Sequence, residues 1–457
     1  MRALTAYEAS ILCDGKIICG NENACFNGIC IDSREASEGQ LFVALKGEVT
    51  DGHKYIQKAV DGGCSVVLSQ NNEIYEGCTV IKVSNTLKAF HKIAEGYRKM
   101  YSPLVVGVTG SVGKTTTKEF IYAVLAGRFN TLKSLGNYNS ETGMPITAFN
   151  IEEEHEAVVF EMGMDAKGEI AALTKIARPE IAVITNIGVM HIEHLGSREN
   201  ILYAKLEIER GLNRNGIMIL NGDDDMLWGV KGKLKHKTVY YGIENKNVPF
   251  RAENILMGNN MTVFDIVTPV GTMEARLNTE GKHNVLNALA AVAVGMYSGI
   301  SLEDCVKYLL NFQNTGMRQN VYEKNGVNII EDCYNAGPDS MKAALSLLEV
   351  KNKNRIAVLS DMLELGKIAE QCHREIGDVA QKSCDILITF GELCKYTCDQ
   401  AIKNGMDASK VFCCEDSEEA IKALLSVAQK GDTILFKGSR GMQTEKVLYG
   451  FEKGWEE

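Results

Sequence analysis

Short apolar runs alternate with amphipathic stretches along most of this chain. Between residues 103 and 318, strand-like runs at Leu104–Val108, Ala157–Glu161, Ile181–Thr185 and Gly216–Leu220 are separated by segments with helical spacing of apolar residues. This alternation predicts a doubly wound, mostly parallel α/β sheet. The later runs Met261–Thr268 and Thr272–Leu277 flank a Pro-Val-Gly turn, which predicts an antiparallel hairpin added to that sheet, and a helix follows at Val285–Tyr297.

The same pattern continues on both sides of this central section. Residues 1–102 hold strand-like runs at Leu41–Leu45 and Ser65–Leu68 and a helical stretch at Leu87–Tyr101, and a Ser-Pro break follows. Residues 319–457 return to an α/β rhythm with four apolar runs, at Asn328–Glu331, Ile356–Ser360, Ile386–Phe390 and Thr433–Phe436. We therefore expect three α/β domains: a small N-terminal one, a central one and a Rossmann-like C-terminal one.

Composition narrows the class of protein. Of the 457 residues, 45% are hydrophobic and 24% charged, and the net charge is −10, which argues against nucleic acid and anionic membranes as partners. The sequence shows no export signal and no apolar run near the ~18 residues of a membrane helix, so we expect no membrane insertion and a cytoplasmic protein. The fourteen cysteines include no Cys-x-x-Cys pair, which favours reduced, mostly buried thiols.

A glycine-rich turn follows the first central strand. Gly107–Thr115 reads GVTGSVGKT and lies between an apolar run and a helical stretch, which is the context of a phosphate-binding loop. Glycines let backbone N–H groups surround phosphate oxygens, Lys114 can reach the terminal phosphates, and the Thr115 hydroxyl can bind Mg²⁺. Relative to the common loop, the first glycine is displaced from position 108 to 107. We expect ATP and Mg²⁺ as ligands.

Polar residues follow other strands of the central section, although each is a weak signal by itself. Glu161 could hold Mg²⁺ beside the loop, and Asn186 and His191 follow the next strand. Taken alone, Glu161 is most simply a loop glutamate and His191 a structural histidine. Lys205 lies on a predicted helix, where a solvated lysine is the default interpretation.

A second set of polar residues follows strands of the last section. Asp332, Asp361, Glu364 and the segment Lys437–Arg440 all come directly after apolar runs. Ligands of open α/β sheets bind at the carboxyl ends of strands, so this set predicts a second substrate site, with solvated loops as the competing interpretation.

Taken together and in order, these residues resemble the Mur ligase family, the ATP-dependent amide ligases of peptidoglycan synthesis. The resemblance covers the whole chain and rests on the phosphate loop, Glu161, Asn186, His191, Lys205, His283, Asn284, Asn287, Arg318 and Asp332. Asp32–Arg34, Gly39–Gly47, Asp51–His53, Gly136–Ser140, Asp332–Ala336 and Lys437–Arg440 resemble the member that adds D-alanyl-D-alanine to UDP-N-acetylmuramoyl-tripeptide. Two positions depart from the family pattern. Gly337 replaces the second asparagine of the family's Asn-Ala-Asn-Pro, and Ser360 replaces the glycine of its Gly-Asp-Met.

The resemblance implies a role for each domain. The first domain would bind the UDP-sugar peptide, the second ATP and the third the incoming amine, in a monomer. Catalysis would use Lys114, His191 and Lys205, and Mg²⁺ would be held by Thr115, Glu161, His191 and Lys205, the last as a carbamate. ATP contacts are expected from Gly110, Ser111, Val112, Gly113, Lys114, Thr115, Thr116, Asn284, Asn287, Arg318 and Asp332. Substrate contacts are expected from Ser33, Arg34, Lys46, Asn137, Asn139, Ser140, Asn335, Asp361, Lys437, Ser439 and Arg440.

Two kinds of alternative stay open on sequence. A sister ligase would join a different amine, and the third residue of the acceptor peptide, diaminopimelate or lysine, is not decided. A regulatory P-loop switch or a non-catalytic scaffold is the rival from another class. The guanine-reading Asn-Lys-x-Asp is absent from the sequence, and Lys114, Thr115, Glu161 and Lys205 are intact, which favours an enzyme.

Overall fold

The computed structural model describes residues 1–47, 50–258, 260–351 and 354–456. Within these ranges, three α/β domains follow one another, and each has its own mostly parallel sheet. This confirms the predicted fold class.

The N-terminal domain contains a five-stranded sheet of order β2-β7-β6-β5-β4 and a separate β1–β3 ladder. In the sheet only the β2–β7 pair is antiparallel. The strands are β1 (Leu4–Thr5), β2 (Lys16–Cys19), β3 (Cys25–Phe26), β4 (Gly28–Cys30), β5 (Gln40–Val43), β6 (Val66–Ser69) and β7 (Thr79–Lys82), and the helices are α1 (Ala6–Cys13), α2 (Ile56–Asp61) and α3 (Thr86–Arg98).

The central domain is built on a nine-stranded sheet of order β16-β15-β14-β13-β12-β11-β8-β10-β9. Strands β8 to β14 pair in parallel, and β14, β15 and β16 form an antiparallel extension. The strands are β8 (Leu104–Thr109), β9 (Thr131–Lys133), β10 (Ala157–Glu161), β11 (Ile181–Ile184), β12 (Ile217–Asn221), β13 (Lys237–Gly242), β14 (Phe250–Gly258), β15 (Met261–Thr268) and β16 (Gly271–Leu277). The helices are α4 (Lys114–Ala126), α5 (Gly143–Phe149), α6 (Glu169–Ala177), α7 (Ile192–Leu195), α8 (Arg198–Lys205), α9 (Asp225–Trp228), α10 (Lys282–Tyr297) and α11 (Leu302–Leu309).

The C-terminal domain has a six-stranded sheet of order β17-β18-β22-β19-β20-β21, in which only β17 is antiparallel to its neighbour. Its strands are β17 (Asn320–Lys324), β18 (Val327–Asp332), β19 (Arg355–Ser360), β20 (Ile386–Phe390), β21 (Val411–Cys414) and β22 (Thr433–Lys437). Its helices are α12 (Pro338–Glu349), α13 (Ala369–Ser383), α14 (Cys394–Lys403), α15 (Ser417–Val427) and α16 (Glu445–Glu456).

Both faces of the central sheet are covered, as a doubly wound fold requires. Helices α4 and α10 pack together on one face, where Phe120 stacks on Phe312 with ring centroids 3.7 Å apart. On the other face, Val158 and Phe160 belong to a core that continues into the N-terminal domain through Phe90 and Tyr97 of α3. The continuous core fixes the phosphate loop relative to the first domain.

Two further sequence expectations can be compared with the structure. Eleven of the fourteen cysteines are buried, which agrees with the prediction of mostly buried thiols. No helix in the described part of the chain is long and apolar enough to cross a membrane.

Candidate functional site

The phosphate loop lies between β8 and α4, and its glycines are required by geometry. Gly110 and Gly113 have φ of 149° and 81°, in the region that disfavours residues with a Cβ. A Cβ on Gly110 would also lie 1.8 Å from the Thr185 Oγ1 atom. The displaced first glycine, Gly107, instead lies within β8, where a Cβ would approach Met162 Cε at 3.1 Å.

The strand next to β8 holds the loop in place. The Asn186 side chain accepts from Val112 N at 2.8 Å and donates to Val112 O at 3.0 Å, and its backbone oxygen accepts from Ser111 N at 3.1 Å. Thr185 Oγ1 also donates to Val112 O, at 2.6 Å. Asn186 therefore shapes the loop backbone from the end of β11.

Lys114 is the first residue of helix α4, and its side chain extends back toward the phosphate loop. Its Nζ donates to Gly110 O at 2.9 Å and to Ser111 O at 3.3 Å. Burial lowers the pKa of Lys114, partly offset by the Glu161 carboxylate. The ammonium thus lies at the place where loop amides would hold phosphates.

Glu161 ends β10 beside the loop and is only 1% exposed, so the loop-glutamate interpretation is wrong. Its Oε1 accepts from Thr115 Oγ1 at 3.0 Å and from Asn139 Nδ2 at 2.8 Å. Its Oε2 lies 3.6 Å from Lys118 Nζ. A carboxylate, a hydroxyl and an amide therefore meet where the loop enters α4.

A buried charge network supports Glu161 from behind. Lys118, 1% exposed, donates to Ser134 O at 2.7 Å and lies 3.2 Å from Glu119 Oε1. Glu119 is also paired with Lys133. Two cations and two carboxylates balance one another here, as buried charges must.

His191 lies at the boundary with the C-terminal domain. Its Nδ1 is 2.7 Å from Glu364 Oε2 and 3.2 Å from Asp165 Oδ1. Burial and the nearby Lys114 cation lower the pKa of His191, against the opposing effect of these carboxylates. The imidazole is therefore biased toward the neutral form that can bind a metal.

Lys205, at the end of α8, is 1% exposed, so the default of a solvated helix lysine is wrong. Burial, with a contribution from Lys114, holds the pKa of Lys205 well below its usual value. No hydrogen bond or ion pair to its Nζ is found among the described residues. Burial without a partner disfavours the charged form of an amine.

The start of α10 faces the phosphate loop. Asn287 Oδ1 accepts from Thr117 Oγ1 at 2.8 Å, and its Nδ2 donates to Asn284 Oδ1 at 3.3 Å. Asn284 Nδ2 in turn donates to Glu280 O at 2.8 Å and to Gln319 Oε1 at 2.9 Å. Asn287 reaches the open side of the loop, whereas Asn284 supports it from the interior.

The C-terminal domain forms the side of the site that lies across from the phosphate loop. Lys437 Nζ donates to Asp332 Oδ2 at 2.6 Å and to Asn335 O at 3.1 Å, which joins the ends of β22 and β18. The Arg318 guanidinium lies 3.8 Å from the Tyr334 ring centroid, a cation–π contact. Lys437 of this domain and Arg318 at its boundary therefore line the same space as the phosphate loop.

Between the two domains lies a cavity of about 380 Å³. It joins residues of both domains, including most of those that the sequence singled out. The predicted residues that line it are Ser111, Val112, Gly113, Lys114, Thr115, Thr116, Asn139, Ser140, Glu161, His191, Asn287, Arg318, Asp332, Asn335 and Lys437.

Other predicted residues lie outside this cavity: Gly110, Lys205, Asn284, Ser33, Arg34, Lys46, Asn137, Asp361, Ser439 and Arg440. Arg34 is exposed and paired with Asp32, and Lys46 forms a backbone bridge with Asp51, both in the N-terminal domain. Their roles stay predictions.

Two of these residues are occupied by internal bonds. The Asp361 carboxylate accepts from Leu393 N at 3.1 Å and Cys394 N at 2.8 Å, so it caps α14. Ser439 Oγ accepts from Leu363 N at 2.9 Å and donates to Ala336 O at 3.3 Å. In this arrangement, both side chains stabilise the loops around the cavity instead of projecting into it.

Both departures from the family pattern are explained by close packing. A Cβ on Gly337 would lie 2.3 Å from Met190 Sδ, so Gly337 admits Met190 of the central domain. Ser360 Oγ bonds Thr444 Oγ1 at 2.8 Å and lies where a Cβ of Gly438 would be, only 1.7 Å away. A serine at position 360 is thus matched by a glycine at 438.

Sequence reasoning missed several residues of the site. Tyr334, Asp339 and Gln319 line the cavity, and Lys118 supports Glu161. Lys118 is four residues after Lys114 on α4, and this spacing was an available signal for a shared helix face. Nothing in the local sequence distinguishes Gln319.

Comparison with known proteins agrees with this geometry. Three family profiles match the chain: "Mur ligase family, catalytic domain" over 26–99, "Mur ligase middle domain" over 108–295 and "Mur ligase, glutamate ligase domain" over 317–440. The UDP-N-acetylmuramoyl-tripeptide–D-alanyl-D-alanine ligase of Bacillus subtilis (strain 168) is 39% identical over 433 residues, which are 93% of each chain.

Solved structures extend the similarity to three dimensions. A crystal structure of MurF from Acinetobacter baumannii is 31% identical and superposes with a TM-score of 0.93 over 99% of both chains. MurF from Thermotoga maritima in complex with ADP is 30% identical, with a TM-score of 0.84 over 94% of this chain and 98% of that one. Since sequence, fold and the order of site residues agree over the full length, the chain belongs to the Mur ligase family, in its UDP-N-acetylmuramoyl-tripeptide–D-alanyl-D-alanine ligase branch.

Proposed function

We propose that this chain joins D-alanyl-D-alanine to UDP-N-acetylmuramoyl-tripeptide at the expense of ATP, giving the UDP-pentapeptide, ADP and phosphate for peptidoglycan synthesis. One observation carries the proposal: a single cavity brings the phosphate loop and Glu161 of the central domain against Asp332 and Lys437 of the C-terminal domain, with Arg318 at the boundary between the two domains. ADP binding by the Thermotoga maritima relative supports ATP as the phosphoryl donor.

The chemistry divides an unfavourable step into two. The terminal carboxylate of the tripeptide attacks the γ-phosphorus of ATP, and the bond to ADP breaks, giving an acyl phosphate. The amine of D-alanyl-D-alanine then attacks the acyl carbon, loses a proton and expels phosphate. Lys114 and the loop amides offset the negative charge that spreads over the phosphate oxygens.

The cavity also protects the intermediate. An acyl phosphate reacts with water, so the two domains must exclude it during the reaction. The contact between His191 and Glu364 joins the two walls, and Met190 packs into the space left by Gly337. We propose that this arrangement is the closed form, in which the amine would meet the acyl group.

The residues present fit Mg²⁺, which prefers oxygen ligands. The Thr115 hydroxyl and the Glu161 carboxylate lie 3.0 Å apart beside the loop, with neutral-biased His191 on the cavity wall. We propose that these three residues hold Mg²⁺. Bound there, the ion would neutralise phosphate charge during transfer.

We propose that Lys205 reacts with CO₂ to form a carbamate. The neutral amine bonds to the carbon of CO₂ and releases a proton, which converts a buried amine into an oxygen ligand suited to Mg²⁺. Its burial and the absence of a partner among the described residues support this reaction.

The remaining proposals concern organisation. We place the domain boundaries at 102/103 and 318/319, so that 1–102 binds the UDP-sugar peptide, 103–318 binds ATP and 319–457 binds the dipeptide. A monomer suffices, since one copy supplies every residue that lines the cavity. The UDP-linked substrate implies the bacterial cytoplasm as the compartment.

The first test is Mg²⁺-dependent phosphate release from ATP. The assay contains the UDP-tripeptide, with D-alanyl-D-alanine present or omitted, and the product is identified by its mass in mass spectrometry. We expect release that requires both substrates and yields the UDP-pentapeptide. The diaminopimelate and lysine forms of the tripeptide, compared by kcat/KM, decide the third residue.

Other outcomes would refute the proposal in different ways. Release that ignores D-alanyl-D-alanine but responds to another amine would assign a sister ligase. No release with either tripeptide and any tested amine would favour a scaffold.

A further inference from the structure

Gln319 occupies the passage from the central to the C-terminal domain in an unfavourable backbone conformation. It lies between α11 and β17, and its φ is +47°. A residue other than glycine is strained in this left-handed region and persists there only when its surroundings require it. Contacts around Gln319 should therefore hold it in this backbone conformation.

The side chain of Gln319 is held by the central domain. Its Oε1 accepts from His283 Nε2 at 2.8 Å and from Asn284 Nδ2 at 2.9 Å, and its Nε2 donates to Glu280 O at 2.8 Å. Burial lowers the pKa of His283, which keeps the imidazole neutral. Three partners from one short segment at the start of α10 thus fix the amide in a single orientation.

The backbone of Gln319 is bonded to both sides of the passage. Its N–H donates to Asp332 Oδ1 at 3.3 Å, and its carbonyl accepts from Asn314 Nδ2 at 2.9 Å. Asp332 ends β18 of the C-terminal sheet. One residue therefore connects the two domains through bonds at both its side chain and its main chain.

The residues fixed in this way face the phosphate loop. Arg318, adjacent in the chain, lies against the Tyr334 ring at 3.8 Å, and Asp332 is paired with Lys437 at 2.6 Å. Both Arg318 and Asp332 line the cavity. A change at Gln319 would move both of them without altering either side chain.

We propose that Gln319 is a positioning residue for the nucleotide: it locks the passage between the domains so that Arg318 and Asp332 face the phosphate loop. Gln319 also lines the cavity, but its side-chain amide is engaged by the start of α10, so it acts on the nucleotide through Arg318 and Asp332. The inference rests on the proposed ATP site and adds a determinant of nucleotide affinity that lies in the interdomain passage.

The test is ADP affinity, measured by isothermal titration calorimetry on the full chain. Gln319→Ala should weaken ADP binding about tenfold, the effect of losing a buried hydrogen-bonded group. Gln319→Gly should weaken it similarly, since it also removes the side chain although it relieves the backbone. The matched control is Gln313→Ala, an exposed glutamine in the same segment, which should leave ADP affinity unchanged.

Turnover measurements separate positioning from simple support of the fold. In Gln319→Ala the KM for ATP should rise, while kcat at saturating ATP and the KM for the UDP-tripeptide are retained. Combined with Arg318→Ala, the Gln319→Ala change should add little, because residues that act as a unit are not additive.

Several outcomes would overturn the proposal. ADP affinity retained in Gln319→Gly but lost in Gln319→Ala would assign the effect to backbone strain. Affinity unchanged in both variants while thermal stability falls would make Gln319 merely structural, and full additivity with Arg318→Ala would make it independent of Arg318. Absence of ADP binding by the unsubstituted protein would instead refute the proposed nucleotide site.

Discussion

Two lysines near the phosphate loop, the partly buried Lys114 and the fully buried Lys205, differ in what surrounds their ammonium groups. Lys114 Nζ is bonded to two loop carbonyls, whereas Lys205 Nζ has no hydrogen-bond or ion-pair partner in the described ranges. Carbonyl partners stabilise a cation, and burial without partners favours a neutral amine. The same residue type therefore suits phosphate binding at position 114 and reaction with CO₂ at position 205.

Lys114→Ala should lower kcat at least about a hundredfold, because it removes a charge aimed at the transferring phosphoryl group. Phosphate release in the presence of both substrates measures the effect. Lys233→Ala, at an exposed lysine of the same domain, is the matched control and should behave like the unsubstituted protein. Near-normal turnover by a well-folded Lys114→Ala variant would contradict the role of Lys114 in phosphoryl transfer.

Lys205 should show a carbamate signal in ¹³C NMR after equilibration with labelled bicarbonate, and the signal should vanish in Lys205→Arg. Arginine keeps the charge but stays protonated, so it cannot react with CO₂. The intact mass should rise by one CO₂ under the same conditions. A signal that persists in Lys205→Arg would place the modification elsewhere.

At the residue scale, the sequence predicted the central half of the site better than the C-terminal half. Glu161 and His191 follow buried parallel strands, and the ends of such strands meet at one edge of the sheet. Asp361 follows a strand too, yet its carboxylate caps α14. Position after a strand does not reveal whether a backbone N–H or a ligand will use the carboxylate.

Among the elements, β10 and α4 are joined by the network around Lys118. Its ammonium contacts Glu161 of β10, Glu119 of its own helix and Ser134 O after β9. These contacts connect the helix that carries the phosphate loop to the two strands beside it. The orientation of Glu161 therefore depends on packing behind the site.

Lys118→Met should destabilise the protein by about 3–5 kcal/mol, because it removes the cation paired with the buried Glu161 carboxylate and leaves Glu119 with Lys133 alone of its two lysine partners. Denaturant unfolding measures the loss. The double variant Lys118→Met/Glu119→Gln should recover part of it by restoring the charge balance. A loss below about 1 kcal/mol in the single variant would mean that Lys118 is not required for the network.

His373 of α13 gives a pH-dependent element. Its Nε2 accepts from Met362 N at 3.0 Å and its Nδ1 lies 2.8 Å from Ala369 O, an arrangement that needs the neutral ring. Burial lowers the pKa of His373 below 6.5. Its contribution to stability is therefore present above pH 6.5 and lost as the pH falls through the lower folded value.

The measurement is the free energy of unfolding between pH 8 and pH 5, compared with His373→Gln. We expect the unsubstituted protein to lose stability below about pH 6.5 and the variant to lose less over the same range. Parallel curves for the two proteins would contradict the assignment.

At the element scale, each of the twelve apolar runs named from the sequence forms a strand, with ends shifted by a residue or two. The sequence analysis did not predict strands β1, β2, β3, β4, β7, β9, β13, β14, β17 and β21. Leu132 of β9 has only polar neighbours within its strand, and exposed residues of β14, such as Leu256, break the alternation. Their pairing with neighbouring strands forms them, and a single sequence does not show that pairing.

For the whole molecule, charged contacts help to join the central and C-terminal domains. Glu364 approaches His191, and Lys351 bonds Glu280. The Glu364 side chain is 48% exposed, so solvent screens this contact. Electrostatics therefore adjusts the closed form, while packing and the Gln319 bonds define it.

Glu364→Gln should shift the balance between open and closed forms by no more than about fivefold, the range of an exposed ion pair. Fluorescence energy transfer between labels on the two domains, with ADP present, measures the shift. Added salt should reduce the difference between variant and unsubstituted protein. Complete loss of closure would show that the contact is essential and not an adjustment.

Gly337 and Met190 form a complementary pair across the same boundary. Because a Cβ at 337 would lie 2.3 Å from Met190 Sδ, any side chain at 337 requires the Met190 side chain to move. Relatives with the asparagine of the family pattern at 337 should have a smaller or differently directed side chain at 190. Exchange of one partner alone should open the boundary, so a chimera that combines the central domain of one ligase with the C-terminal domain of another must transfer both positions together.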